Sequence, residues 1–174
     1  MKKSFQKLRT ISEMYWTDED RRNAALAKTM EDLSLVGMQK LERMLKINAN
    51  AHIIQCCGPI TNGGLGSFEE NIQELTKAIA FLIIKRDPVF NQLPFGKDMM
   101  RILNEELCIP ASERKERNAI ILEKFYDPLL KSGHIKELKF LHLWHTSEGT
   151  LYEHKKAKEY GIHINYLAQD FSVL

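Results

Sequence analysis

Apolar residues recur along this chain with two different periods, and the change from one to the other marks out the elements. In residues 1–50, Leu26, Met30, Leu33, Leu41, Met44 and Leu45 fall roughly on one helical face. This stretch holds no proline and a single glycine, Gly37, which predicts a helical arm divided in two at that residue. Thr17-Asp18-Glu19-Asp20 reads as a helix start, because acidic side chains suit the positive end of a helix dipole. From His52 onward the pattern changes. His52–Cys57 predicts a short buried strand, and Ser67-x-x-Glu70 then opens a helix carrying Phe68, Ile72, Leu75, Ile79 and Leu82 at helical spacing through about Lys85. Asp87–Leu93 predicts a second strand with Pro88 tolerated at its first positions, broken by Pro94-Phe95-Gly96. Residues 97–108 predict a short helix ended by Pro110. Residues 111–131 predict another, interrupted at Asp127-Pro128 and stopped by Ser132-Gly133-His134. Leu138–Leu143 reads as the third strand, a polar helix ends near Tyr160-Gly161, and Ile162–Leu167 reads as the fourth strand.

Alternating strands and helices predict an α/β fold: a small parallel sheet of about four strands with helices on both faces, preceded by the helical arm. The boundary falls between residues 1–50, the extension, and 51–174, the α/β domain. Open parallel sheets bind ligands beyond the carboxyl ends of their strands. Three loops leave such ends here: residues 58–66, Pro94-Phe95-Gly96, and the turn Thr146–Thr150. They are expected to converge on one cleft.

Composition narrows the class. The chain has 174 residues, enough for one domain with a sizeable core and an appendage. A formal charge of +2, with no basic patch interleaved with aromatics, argues against a dedicated nucleic-acid binder. Cys56, Cys57 and Cys108 are too few for a disulfide framework, and neighbours in a strand point to opposite faces, so they read as core thiols in a reducing compartment. The Met1 region lacks a signal-peptide pattern, and no apolar run is long enough to span a bilayer. The expectation is a soluble, cytoplasmic protein that does not engage membranes.

The candidate chemistry gathers in two places. Gly58, Gly63, Gly64 and Gly66 form a loop between a strand and a helix start, which suits a phosphate or sugar hydroxyl, although the spacing is neither a P-loop nor a dinucleotide fingerprint. The second place is Trp144–Glu153, where small residues at 147, 149 and 150 let backbone approach a ligand and the new helix offers unpaired N–H groups. Glu153 falls within the first turn of that helix and is the residue here best suited to chemistry. Thr150-x-x-Glu153 is equally a capping box, and Ser147 equally a plain N-cap. His142, His145 and His154 cluster in sequence, but alternating strand faces separate the first two, so no metal site is expected.

Over about residues 52–167 the chain resembles the nucleoside 2-deoxyribosyltransferase-like superfamily. The resemblance is carried by Cys57-Gly58-Pro59-Ile60, Val89-Phe90-Asn91, Ser147-x-Gly149-x-x-Tyr152-Glu153 and Ala157-x-x-x-Gly161-Ile162. It implies a flavodoxin-like, Rossmann-like fold and cleavage of the N-glycosidic bond of a (deoxy)nucleoside or its 5′-monophosphate, with Glu153 attacking the anomeric carbon. Transferases of the family that act on free nucleosides carry an aspartate where this chain has Ser147. The serine looks more like the branch that hydrolyses monophosphates, where this turn holds the phosphate. Gly58, Pro59, Ile60, Asn91, Phe95, Trp144, Gly149, Thr150 and Tyr152 are the further expected substrate contacts, with Trp144 and Phe95 equally readable as core and Asn91 and Tyr152 as structural, and Asp98, by its loop position, is the candidate proton donor. The resemblance also implies a homodimer or higher homo-oligomer and no cofactor. A nucleotide or nucleotide-sugar binding module that retains the pocket without catalysis is the alternative.

Overall fold

The computed structural model describes residues 6, 7, 13, 15–47 and 49–173; the charged opening at Met1 lies outside them. Helix α1 (Asp18–Leu26) begins with a capping box, in which the Thr17 hydroxyl accepts from the Asp20 amide and the Asp20 carboxylate accepts from the Thr17 amide. Helix α2 (Met30–Ile47) follows after a break at residues 27–29, not at Gly37, which lies unbroken inside α2. A Cβ on Gly37 would sit 3.1 Å from both Leu129 methyls and 3.6 Å from the Phe90 ring. The glycine is there for close packing. Met30, Leu33, Leu41 and Met44 are buried as the helical spacing predicts, whereas Leu26 is exposed beyond the end of the apolar stripe.

Strand β1 (Ile53–Cys57) is buried along its whole length. Helix α3 (Phe68–Ile84) starts at Ser67, whose hydroxyl accepts from the Glu70 amide. Strand β2 is only Val89–Phe90, much shorter than the predicted Asp87–Leu93. It ends because Asn91 turns its side-chain oxygen onto the Leu93 amide and residues 93–95 wind into a 3-10 turn. Helix α4 (Gly96–Arg101) runs on as a π turn over Ile102–Glu106. Helix α5 (Arg114–Ile120) passes through a second π stretch, Ile121–Tyr126, into α6 (Asp127–Lys131), where Pro128 occupies the first turn. Strand β3 covers Ile135–Phe140, helix α7 Glu148–Tyr160, and strand β4 His163–Tyr166.

The four strands are all parallel in the order β2-β1-β3-β4, the flavodoxin-like arrangement, with the strand order reversing between β1 and β3. Helices cover both faces. Leu75, Ile79 and Leu82 of α3 pack with Ile54 and Cys56 on one side, while Cys57 belongs to the larger cluster on the other. The adjacent cysteines do divide between the faces; Cys108 is exposed instead of core.

Residues from α1 and α2 share that larger cluster with Phe90, Phe125, Leu129 and Phe140. Trp16 reinforces the join: its ring meets Phe95 edge-on at 4.6 Å and its indole N–H donates to the Asn91 carbonyl. The arm is therefore the cover of its own α/β core. Among the described residues no helix is long and apolar enough to cross a membrane.

Candidate functional site

The three loops expected to converge do so. They line a cavity of about 400 Å³ beyond the carboxyl ends of β1, β2 and β3, beside the point where the strand order reverses. Gly58 and Ile60 enter from the β1 loop, Gln92, Leu93, Pro94 and Gly96 from the β2 loop, and Ser147, Gly149, Thr150 and Glu153 from the last turn and α7. Phe68 and Ile72 of α3, Met99 and Met100 of α4, and Ile121, Leu122 and Tyr126 of the second π stretch supply an apolar wall. The space fits a small molecule with one flat apolar part and a few fixed polar contacts.

Glu153 is the ionisable group most deeply set into this cavity. It is buried, and its Oε1 accepts a hydrogen bond of 2.8 Å from Gln55 Nε2 on β1. Burial pushes the carboxyl up to about 7, against hydrogen bonds from Cys57 and Gln55 that pull it down. Helix α7 begins at Glu148, so Glu153 lies in the second turn, not the first as predicted. The helix dipole fades by then, and desolvation governs the carboxyl. The capping-box alternative is not realised: the partner of Glu153 lies across the sheet on β1, 98 positions away in sequence.

The N-terminus of α7 is laid out as a polar corner. Ser147 occupies the N-cap position, yet its side chain makes no capping bond, and the first-turn amides have no intrahelical partners. The Ser147 side chain is buried against the cavity. The Thr150 hydroxyl instead donates to the backbone carbonyls of Trp144 and Ser147, which locks the turn.

The glycine loop is built by contacts within the protein. Asn71 donates to the Ile60 and Gly63 carbonyls and accepts from the Leu65 amide. The Gly64 amide donates to the Thr146 hydroxyl at 2.8 Å. Gly63 has φ +69°, and a Cβ there would lie 2.4 Å from the Thr146 carbonyl oxygen. Only glycine allows that approach.

Of the residues predicted from sequence, Gly58, Ile60, Ser147, Gly149, Thr150 and Glu153 line the cavity. The others lie elsewhere. Pro59 faces Leu141, His142 and Gly64 in a separate small depression. Asn91 holds the β2 turn through its side-chain oxygen. Phe95 is fully buried between Trp16, Phe90 and Phe125. Trp144 stacks on His154 at 4.4 Å, near Tyr166. Tyr152 places its hydroxyl 3.4 Å from Asp127 of α6 and does not line the cavity. Asp98 pairs with Arg101, whose guanidinium is held by the Ala24 and Ala27 carbonyls at the end of α1. That pairing draws Asp98 toward the arm, and it is not among the residues that line the cavity.

Sequence reasoning passed over Gln55 and Tyr126. The signal for Gln55 was a polar residue in the middle of Ile53-Ile54-Gln55-Cys56-Cys57; a buried amide requires a polar partner. For Tyr126 it was the spacing Asn118, Leu122, Tyr126, one stripe of a helix, all three lining the cavity.

Fold and site together describe a flavodoxin-like α/β protein with a cleft at the switch point of its sheet. No family model matches the chain, and neither a curated protein nor a solved structure matches it.

Proposed function

We propose that the protein cleaves the N-glycosidic bond of a nucleoside 5′-monophosphate or related nucleoside, with Glu153 as the nucleophile. The observation that carries this reading is the buried Glu153 carboxylate, held by Gln55 in the wall of a cavity whose rim is the N-terminus of α7. Attack on the anomeric carbon forms a glycosyl ester with Glu153 and expels the base. Water, or an acceptor base, then breaks the ester and restores the carboxylate. Ser147 and the free amides of the first turn of α7 are suited to the 5′-phosphate oxygens. The apolar wall of Phe68, Ile72 and Met99 is suited to the face of the base.

A module that binds nucleotides or nucleotide-sugars without cleaving them is the second reading, favoured by the placement of Asp98 outside the cavity. Base release from each deoxynucleoside and ribonucleoside monophosphate, followed chromatographically for the parent and Glu153→Gln, decides between them. Release by the parent and none by the variant is expected. Binding without release by the parent would establish the second reading.

A further inference from the structure

Tyr126 carries a hydroxyl that the protein itself leaves unused. The residue is more than nine-tenths buried, lines the cavity, and meets Phe125 edge-on at 4.9 Å. Neighbouring tyrosines are tied: Tyr160 donates to Asp127 at 2.8 Å, and Tyr166 pairs with His154 at 2.9 Å. The Tyr126 hydroxyl has no hydrogen-bond partner among the described residues. The hydroxyl is not sealed in the core: it is reached only from the cavity that Tyr126 lines, so its donor is directed at whatever occupies that space. In this cavity water meets the hydroxyl in the empty state, and a ligand that displaces the water must offer an acceptor in its place.

The position of the ring is well determined. Tyr126 closes the second π stretch, and the next residue, Asp127, is clasped by Lys156 at 3.3 Å and by Tyr160. Lys156 and Tyr160 stand three and seven positions after Glu153, on the same face of α7. The clasp therefore sets Tyr126 against the part of α7 that presents Glu153. The two are close enough for the Glu153 charge to add to burial in holding the phenol well above its ordinary value, so it remains a protonated donor.

Resting on the reading of Glu153 as nucleophile, we infer that Tyr126 is a substrate-contacting residue that hydrogen-bonds a sugar hydroxyl on the face of the furanose that Glu153 attacks. The stereochemistry supports this. A displacement at the anomeric carbon is in line, so the base of a β-nucleoside departs from the face opposite the attacking carboxylate. The 2′- and 3′-hydroxyls lie on the attacked face. A donor beside Glu153 therefore meets those hydroxyls and not the leaving base.

The test compares the parent and Tyr126→Phe on three monophosphates of one base: ribo, 2′-deoxyribo and 2′,3′-dideoxyribo. Both binding and base release are measured. Phenylalanine keeps the contact with Phe125, and a thermal melt confirms that the variant is folded. Loss of one hydrogen bond lowers kcat/KM or affinity by up to about ten-fold. The expected result is such a loss for ligands bearing the contacted hydroxyl and none for the dideoxy ligand. The step at which the loss vanishes tells the 2′- from the 3′-hydroxyl. A parent that neither binds nor cleaves any of the three overturns the nucleotide reading and this inference with it. A parent that binds or cleaves, with Tyr126→Phe unaffected or equally weakened on all three, overturns the inference alone.

Discussion

Gln55, in the middle of the innermost buried strand, donates its side-chain N–H to the carboxylate of Glu153 at 2.8 Å, while its own side-chain oxygen has no partner. An amide whose oxygen is unpaired can turn over at the cost of only a long contact, that of its nitrogen with Cys57 Sγ at 3.8 Å. It can therefore donate to the carboxylate or accept from the protonated acid. This suits a group that titrates near neutrality.

The first prediction concerns stability against pH. The Glu153 carboxyl lies at about 7 in the fold against 4.5 for the free side chain. Between those values the folded protein holds a proton that the unfolded chain has lost. The resulting stabilisation is fully present below pH 4.5 and disappears as pH rises through 7. The difference amounts to roughly 3 kcal/mol across that window. Glu153→Gln removes the titration, and Gln55 can turn its oxygen to meet the new amide. The variant should match the parent near pH 4 and exceed it at pH 8 in denaturant unfolding. Parallel pH profiles for the two proteins would show that Glu153 does not titrate this way.

Gln55→Leu removes one of the two hydrogen bonds that hold the Glu153 carboxyl down, leaving burial less opposed. A reaction that needs the carboxylate gains rate as pH rises through its titration. The acid limb of the kcat/KM profile should therefore move to higher pH in the variant, by about one unit. A limb that stays in place would deny Gln55 its role in setting the charge of Glu153.

If the α7 rim holds a phosphate, the parent should bind monophosphates more tightly than the corresponding nucleosides. Ser147→Asp would place a carboxylate where the phosphate oxygens sit and should reverse that preference. Calorimetric titration of both ligand classes checks it. Equal affinities in the parent would remove the phosphate from this corner.

Removing residues 1–47 should strip α1 and α2 from the core they share with Phe90 and Phe125. The expected product is insoluble or melts without cooperativity, read by near-ultraviolet circular dichroism. A soluble remnant with the parent's melting temperature would contradict the packing. The intact chain should scatter light as a dimer or larger, since β2 and β4 are open sheet edges and Leu35, Ile47 and Ile84 are exposed. A monomeric mass would discard that part of the reading.

Much of the architecture was legible because it rests on local rules. The Ser67 cap, the α3 spacing and the Gly161 stop each predict their own neighbourhood, and the structure has α3 over Phe68–Ile84 and Gly161 at φ +68°. What escaped depends on partners far along the chain. Strand β3 begins at Ile135, three residues before the predicted start, because Lys136 and Glu137 look like loop residues in isolation. In the fold Glu137 is met by His52 and Asn165, and Lys139 by Asp87, which makes buried charges tolerable in a strand. The site divided in the same way. Small residues announced the α7 turn, whereas nothing local to Phe95 told that Trp16 would draw it inward; Asp98 and Arg101 are a local pair, but nothing near them told that the Ala24 and Ala27 carbonyls would hold the arginine.

The bond from Gly64 to Thr146 joins two loops that arrive from different strands, at a separation that any side chain on Gly63 would forbid. Thr146 immediately precedes Ser147, so the β1 loop and the α7 rim are latched to each other at their tips. The roof of the cavity consequently behaves as one shutter instead of two flaps. A ligand that draws in the α7 rim carries the glycine loop with it, and a molecule too large for the cleft must lift both together.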